Sequence, residues 1–350
     1  MAKLRLALAF LATLNWSVCA SAQATQETTV PIVVTDGTSF LRSLQPSDLK
    51  AKERGQDVEI LSVTWEQDAP IYYAVLLEAS RALPTSGYYR GFHYPQQDVM
   101  YEQVRVAYEL SRAMREQDRF AVASFGRKLE VLLEFTGRLD LIEETLTNYL
   151  NRPIFASPDS STFDAVTQAI ENVRPKATGK RIVLIVLGTG QNTFSRATLG
   201  ETLQLARMAG IQIVFIQVGW QAIEEQANNA QRCGDRGHSE LQCGLASVFG
   251  DSAFYWVQAY AAFSGVARAS GGYAASLRFV GAAREYAEMV GLWAESTQFL
   301  TYRAPVLKAD GKLHKLEIVL ITAVEDAGGK AIKAAVHSID GRRLPKEKKR

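Results

Sequence analysis

Residues able to do chemistry gather in three polar stretches, two of them directly after apolar runs. Glu78-Ala79-Ser80-Arg81-Ala82 follows Ile71 to Leu77, and Gly188-Thr189-Gly190-Gln191-Asn192 follows Arg181 to Leu187. Asp159-Ser160-Ser161-Thr162-Phe163-Asp164 opens a helical pattern. These stretches offer carboxylate and hydroxyl oxygens. They do not offer a nucleophile with its base. The histidines (His93, His238, His314, His337) lie far apart and form no H-x-x-x-H or H-E-x-x-H spacing. No G-x-S-x-G elbow is present. Gly188-Thr189-Gly190 lacks the third glycine and the lysine of a phosphate loop. No catalytic residue is assigned on this reading, and a hydrolase of the cell envelope is the weakest of the alternatives carried forward.

Composition narrows the classes further. The 350 residues are 47% hydrophobic, enough to build a core, which excludes a disordered or collagen-like chain. Lys and Arg number 39 against 37 acids, so the basic excess of a nucleic-acid binder is missing. The start carries Lys3 and Arg5, a short apolar run from Leu6 to Leu14, and Ala20-Ser21-Ala22. That is the pattern of a signal peptide over residues 1–22, cleaved before Gln23. The run is too short to span a hydrocarbon core about 30 Å thick. Cys19 raises a lipoprotein as the rival, although Trp16-Ser17-Val18 suits a lipid-attachment box badly. The expectation is an exported, periplasmic or secreted protein with no transmembrane segment after cleavage.

Export bears on Cys233 and Cys243, in QRCGDRGHSELQCG. Outside the cytoplasm two thiols this close are expected to pair, and closing such a loop stabilises by about 3 kcal/mol. The rival is a metal site using His238, which supplies only three local candidates for a tetrahedral set of four. Residues 84–95 (PTSGYYRGFHYP) bring Tyr88, Tyr89, Phe92 and Tyr94 together with Arg90. Aromatics and arginine anchor interfaces, so this loop is a candidate partner-binding surface. The competing reading folds the rings back onto their own domain. The tail Lys346 to Arg350 reads as a solubilising basic end over 341–350.

The elements that position these residues alternate. Strands are expected at 71–77, 120–125, 129–135, 181–187, 211–218 and 273–277, and helices at 99–116, 161–173, 196–209, 254–269 and 279–296. Tyr101, Val104, Tyr108 and Met114 fall on one side of the first helix. Asp140 and Glu143 resemble a capping box for a helix carrying Ile142, Leu146, Tyr149 and Leu150. Such alternation implies an α/β fold: a doubly wound, mostly parallel, Rossmann-like sheet whose binding crevice lies beyond the carboxyl ends of the strands. The chain ends are β-rich, with strands at 28–34, 56–66, 312–321 and 331–339, expected to form a small β-sandwich-like module.

In order and spacing, VPIVVTD, REQDRFAVASFG, FTGRLDLIEETL, SSTFDAV, RIVLIVLG and GVARASGGY resemble the von Willebrand factor A domain, and more narrowly its exported bacterial subfamily first noted in acidobacteria. The resemblance covers about residues 28–340. It implies a von Willebrand A-like domain at 68–297, flanked by a module made of 28–67 and 298–340. It also implies a metal-ion-dependent adhesion site, in which Asp-x-Ser-x-Ser, a Thr and a second Asp hold Mg²⁺ through hard oxygens. Carried over, those positions fall on Glu78, Ser80, Ala82, Ser160 and Thr189. Ser80 alone is unchanged, Ala82 has no donor, and Thr189 removes a carboxylate. The expectation is therefore a degenerate site without a cofactor, in which Glu78, Ser80 and Ser160 are vestigial metal residues. The crevice (Glu78, Ser80, Ser160, Thr189) and the 84–95 loop would together contact another protein of the envelope or extracellular space. The alternatives are a Mg²⁺-dependent adhesin rescued by Glu78 and Asp159, and a structural subunit with both surfaces buried.

Overall fold

The computed structural model describes residues 25–36, 39–80, 97–151, 159–176, 180–220, 240–306, 312–321, 324–325, 331–332 and 334–342. In chain order, the strands before the first helix are β1 (Thr25–Thr35), β2 (Phe40–Leu41), β3 (Leu49–Glu53), β4 (Gln56–Val58), β5 (Ile60–Thr64) and β6 (Ile71–Glu78). Helix α1 (Gln97–Arg112), β7 (Arg119–Phe125), β8 (Leu129–Thr136), α2 (Leu139–Leu150), α3 (Thr162–Val173), β9 (Arg181–Gly188), α4 (Leu199–Met208) and β10 (Gln212–Gln217) follow. Then come α5 (Glu240–Ala269), β11 (Ala274–Ser276), α6 (Ala283–Glu295), β12 (Gln298–Pro305), β13 (His314–Leu320), β14 (Val324–Glu325), β15 (Ala331–Ile332), β16 (Ala335–Ser338) and β17 (Gly341–Arg342).

The central sheet has the order β11-β10-β9-β6-β7-β8. It is mixed: the pairs from β11 to β7 are parallel, while β8 returns antiparallel to β7 across the turn at Gly126. That short hairpin leaves no room for a crossover helix, which a parallel neighbour would need. Strand β9 is buried along its whole length, as a central strand covered on both faces must be. Its Val183, Ile185 and Leu187 pack with α1, α2 and α6, and its Ile182, Leu184 and Val186 pack with α3, α4 and α5.

The two ends of the chain pair with each other. One sheet has the order β16-β1-β12-β5, with β2 on β1, and a second has β17-β13-β3-β4. Val30, Ile32 and Leu300 from the first share a core with Leu49, Ala51, Leu316 and Ile318 from the second. The run expected as one strand at 56–66 is divided. Val58 pairs with β3 and Ile60 pairs with β12, so the chain changes sheets around Glu59. Arg54 and Gly55 both have positive φ (57° and 75°), the requirement of the tight two-residue hairpin joining β3 to β4.

Three local expectations are corrected. Asp140 does not cap α2: Arg138 is the N-cap, without a side-chain bond, and Asp140 sits in the first turn paired with Arg138. Tyr101 is 47% exposed, while Val104, Tyr108 and Met114, expected on the same side, do pack in the core with Val99, Met100, Val106 and Ala107. Helix α5 begins at Glu240 rather than 254, so Cys243 lies on a helix. Cys233, the 84–95 loop with Tyr88, Tyr89, Arg90, Phe92 and Tyr94, residues 1–22, Ala82 and 343–350 lie outside the described residues. Among the described residues no helix is long and apolar enough to cross a membrane.

Candidate functional site

Strand β6 ends at Glu78 and β9 at Gly188, side by side in the centre of the sheet, so both following segments leave from the same edge. The loop before α3 joins them there. Glu78, Ser80, Ser160 and Thr189, read separately from the sequence, converge on one point, and all four are fully buried.

The centre of the cluster is the Glu78 carboxylate. Ser80 Oγ donates to its Oε1 at 2.7 Å. Thr189 donates its backbone N–H to Oε2 at 2.6 Å and its hydroxyl to the same oxygen at 2.9 Å. The Ser160 hydroxyl, bonded to Thr162 at 2.8 Å, also lowers the pKa of the carboxyl. The Glu78 carboxyl is raised above its ordinary value: burial dominates, and the bonds from Ser80, Thr189 and Ser160 offset it only in part. Glycine is required at 188, because a Cβ there would stand 2.7 Å from Oε2.

The backbone under the carboxylate is clamped too. Gln103 on α1 accepts the Glu78 N–H at 2.7 Å and donates to the Glu78 carbonyl at 3.1 Å. Tyr149 on α2 donates its hydroxyl to that carbonyl at 2.5 Å. On the far side, Gln217 holds the Thr189 carbonyl at 2.9 Å, and Thr162 links Ser160 (2.8 Å) to the Gln191 carbonyl (2.6 Å). Sequence reasoning placed Tyr149 only in the core and gave Gln103 and Thr162 no site role. Each shows itself only by position, since a polar residue at a core position of an amphipathic helix is the single sign available.

These residues do not fit a hard divalent cation. Mg²⁺ demands near-octahedral oxygen lone pairs and dehydrates reluctantly. Here Ser80 and the hydroxyl and N–H of Thr189 all bond the one carboxylate, and position 189 supplies no second one to balance a divalent charge. Glu78 reaches by its longer arm into the space between the hydroxyls. Asp159, the substitute ligand considered from sequence, is half-buried beside Ser160. Among the described residues no three carboxylate, imidazole or thiolate groups gather into a metal-binding set.

The loop after β9 is sewn onto α3. Thr193 and Phe194 donate backbone N–H groups to the Ser160 carbonyl at 2.8 and 3.3 Å. Asp164 accepts from the N–H groups of Arg196 (3.0 Å) and Ala197 (2.7 Å). On the described part of the edge beyond the cluster, the loop after β9 is thus tied to the start of α3.

No family model and no curated protein matches the chain. Among solved structures it is similar to an aerotolerance-related membrane protein from Bacteroides fragilis, at 12% identity and a TM-score of 0.40, covering 65% of this chain and 98% of that one. BatB from Bacteroides thetaiotaomicron aligns at 12% identity and a TM-score of 0.38, covering 65% and 99%. Proximal thread matrix protein 1 from the mussel byssus, described with a zinc-occupied MIDAS motif, aligns at 12% and 0.40, covering 70% of this chain and 50% of that one. At these identities and scores the likeness carries no argument about what this chain does.

Proposed function

We propose that this is an exported, non-catalytic interaction protein, an adhesion or scaffold component, whose strand-end crevice is a degenerate metal-ion-dependent adhesion site. In this reading 68–297 is the von Willebrand A-like domain, and 28–67 with 298–340 is the module that carries it. The partner is another protein of the envelope or extracellular space. It docks on the face beyond the strand ends and on the 84–95 loop (Tyr88, Tyr89, Arg90, Phe92, Tyr94). The observation that carries the reading is the fully buried Glu78 carboxylate, whose oxygens are taken up by Ser80 and by the hydroxyl and N–H of Thr189. A group so enclosed supports structure and leaves contact to the surface around it.

Calorimetric titration of Mg²⁺ or Mn²⁺ into the purified protein tests this. The expected result is no site-stoichiometric binding. Binding at one ion per chain, abolished in Ser80→Ala, would replace the reading with a metal-dependent adhesin using Glu78, Ser80 and Ser160 as ligands. Deleting 84–95 is expected to lower recovery of envelope partners in a pull-down; equal recovery would remove the loop from the contact surface.

A further inference from the structure

Beside the buried cluster, on the same edge, lies an open pocket of about 280 Å³ lined by Arg127, Lys128, Asp164, Gln168, Phe194 and Arg196. Arg127 and Lys128 come from the β7–β8 turn, Asp164 and Gln168 from α3, and Phe194 and Arg196 from the loop after β9. Three cations from two loops thus surround a pocket with one acid. That acid is committed: both Asp164 oxygens accept the Arg196 N–H at 3.0 Å, and one also accepts the Ala197 N–H at 2.7 Å. Lys128 and Arg196 are exposed and have no ion-pair partner among the described residues.

The pocket is also held in shape. The Ser161 N–H bonds the Gly126 carbonyl at 2.8 Å, tying the β7–β8 turn to the start of α3. The Ser161 hydroxyl bonds the Phe194 carbonyl at 3.1 Å, tying the second loop to the same point. Arg127 lies over the Phe194 ring at 4.6 Å, and that ring is 47% exposed. A guanidinium stacked on an exposed aromatic offers a charge and an apolar wall together.

We propose that this pocket receives an acidic side chain from a partner protein, with an apolar neighbour of that side chain resting on Phe194. The proposal rests on the protein-contact reading above and names the chemistry of the partner. Charge complementarity selects a carboxylate. The chain's overall balance, formally +2, argues against a track for a long polyanion. The exposed ring favours a peptide over a free inorganic anion, which would leave Phe194 uncovered.

The probe is a fluorescein-labelled peptide with two adjacent glutamates flanked by leucines, read by anisotropy at low salt in EDTA and again with Mg²⁺. Binding is expected in both, weakened about tenfold or more in the Lys128→Ala/Arg196→Ala double variant, by raised salt, and when glutamine replaces glutamate in the peptide. Thermal melting confirms that the variant is folded, since both side chains are exposed. Absence of wild-type binding, or equal binding by the variant, overturns the pocket and leaves the metal-free reading standing. Binding only with Mg²⁺, lost in Ser80→Ala, overturns both. Tighter binding of heparin or polyphosphate than of the peptide overturns the assignment to a protein partner.

Discussion

Glycine at 188 lets the Glu78 carboxylate lie between three hydroxyls. A methyl group at 188 would stand 2.7 Å from Oε2 and 3.1 Å from the Glu78 Cβ, both inside ordinary contact. Gly188→Ala should therefore destabilise by about 1–3 kcal/mol, the usual range for overpacking a closed interior. Because Glu78 is what the methyl strikes, the loss should shrink in a Glu78→Ser background, measured by urea unfolding of the four proteins of the cycle. Tyr149→Phe removes one of the two donors on the Glu78 carbonyl and leaves Gln103 on the other. That carbonyl stays satisfied, so the expected loss is about 0.5–1.5 kcal/mol, the net worth of a single hydrogen bond. No measurable loss would mean that the ring, which phenylalanine keeps, and not the hydroxyl holds the strand end.

At the scale of elements, helix entry shows how a correct principle can settle on the wrong residue. Asp140 and Glu143 have capping-box spacing, yet α2 starts at Leu139, so Asp140 is already inside the first turn. A real box closes α4: the Thr198 hydroxyl accepts the Glu201 N–H at 3.2 Å, and the Glu201 carboxylate accepts the Thr198 N–H at 2.8 Å. Thr198→Ala should cost about 1 kcal/mol, whereas Asp140→Ala, an exposed residue bonded to exposed Arg138, should leave stability nearly unchanged. Chemical denaturation of the two variants compares them directly. Helix α1 makes the same point through burial: Glu102 and Gln103 are buried although both are polar, and their sequence positions give no sign of what they bond. Gln103 turns inward because two strand-end backbone groups need partners there.

For the whole molecule, the seam between the terminal sheets and the α/β layers is built from mixed groups. Trp293 of α6 packs edge-on against Phe40 at 6.1 Å and His337 of β16 at 4.8 Å. Arg207 of α4 holds Asp340 through two hydrogen bonds. Burial lowers the His337 imidazole below its ordinary 6.5. Its folded pKa lies below the unfolded one, so the neutral ring contributes stability fully above pH 6.5, and that contribution is lost as the pH falls through the folded value. Melting temperature should therefore decline on acidification below about pH 6.5, and His337→Phe should flatten that part of the profile. An unchanged slope in the variant would place the acid sensitivity on other groups.

Alternating apolar runs and helical periods are local, and from them the sequence alone determined the α/β layering, most strand positions and the β-rich ends. Glu78, Ser80 and Thr189 were legible for a related reason, since parallel strands send their following loops to one edge, whereas Ser160, which precedes a helix, was placed by the family resemblance. Proton direction within that cluster belonged to the tertiary structure, because it depends on Glu78 being long enough to reach hydroxyls from three separate segments. The pairing of the two chain ends, the return of β8 and the inward turn of Gln103 are likewise long-range. Each answers a need for partners that exists only once distant backbone groups have been brought out of water.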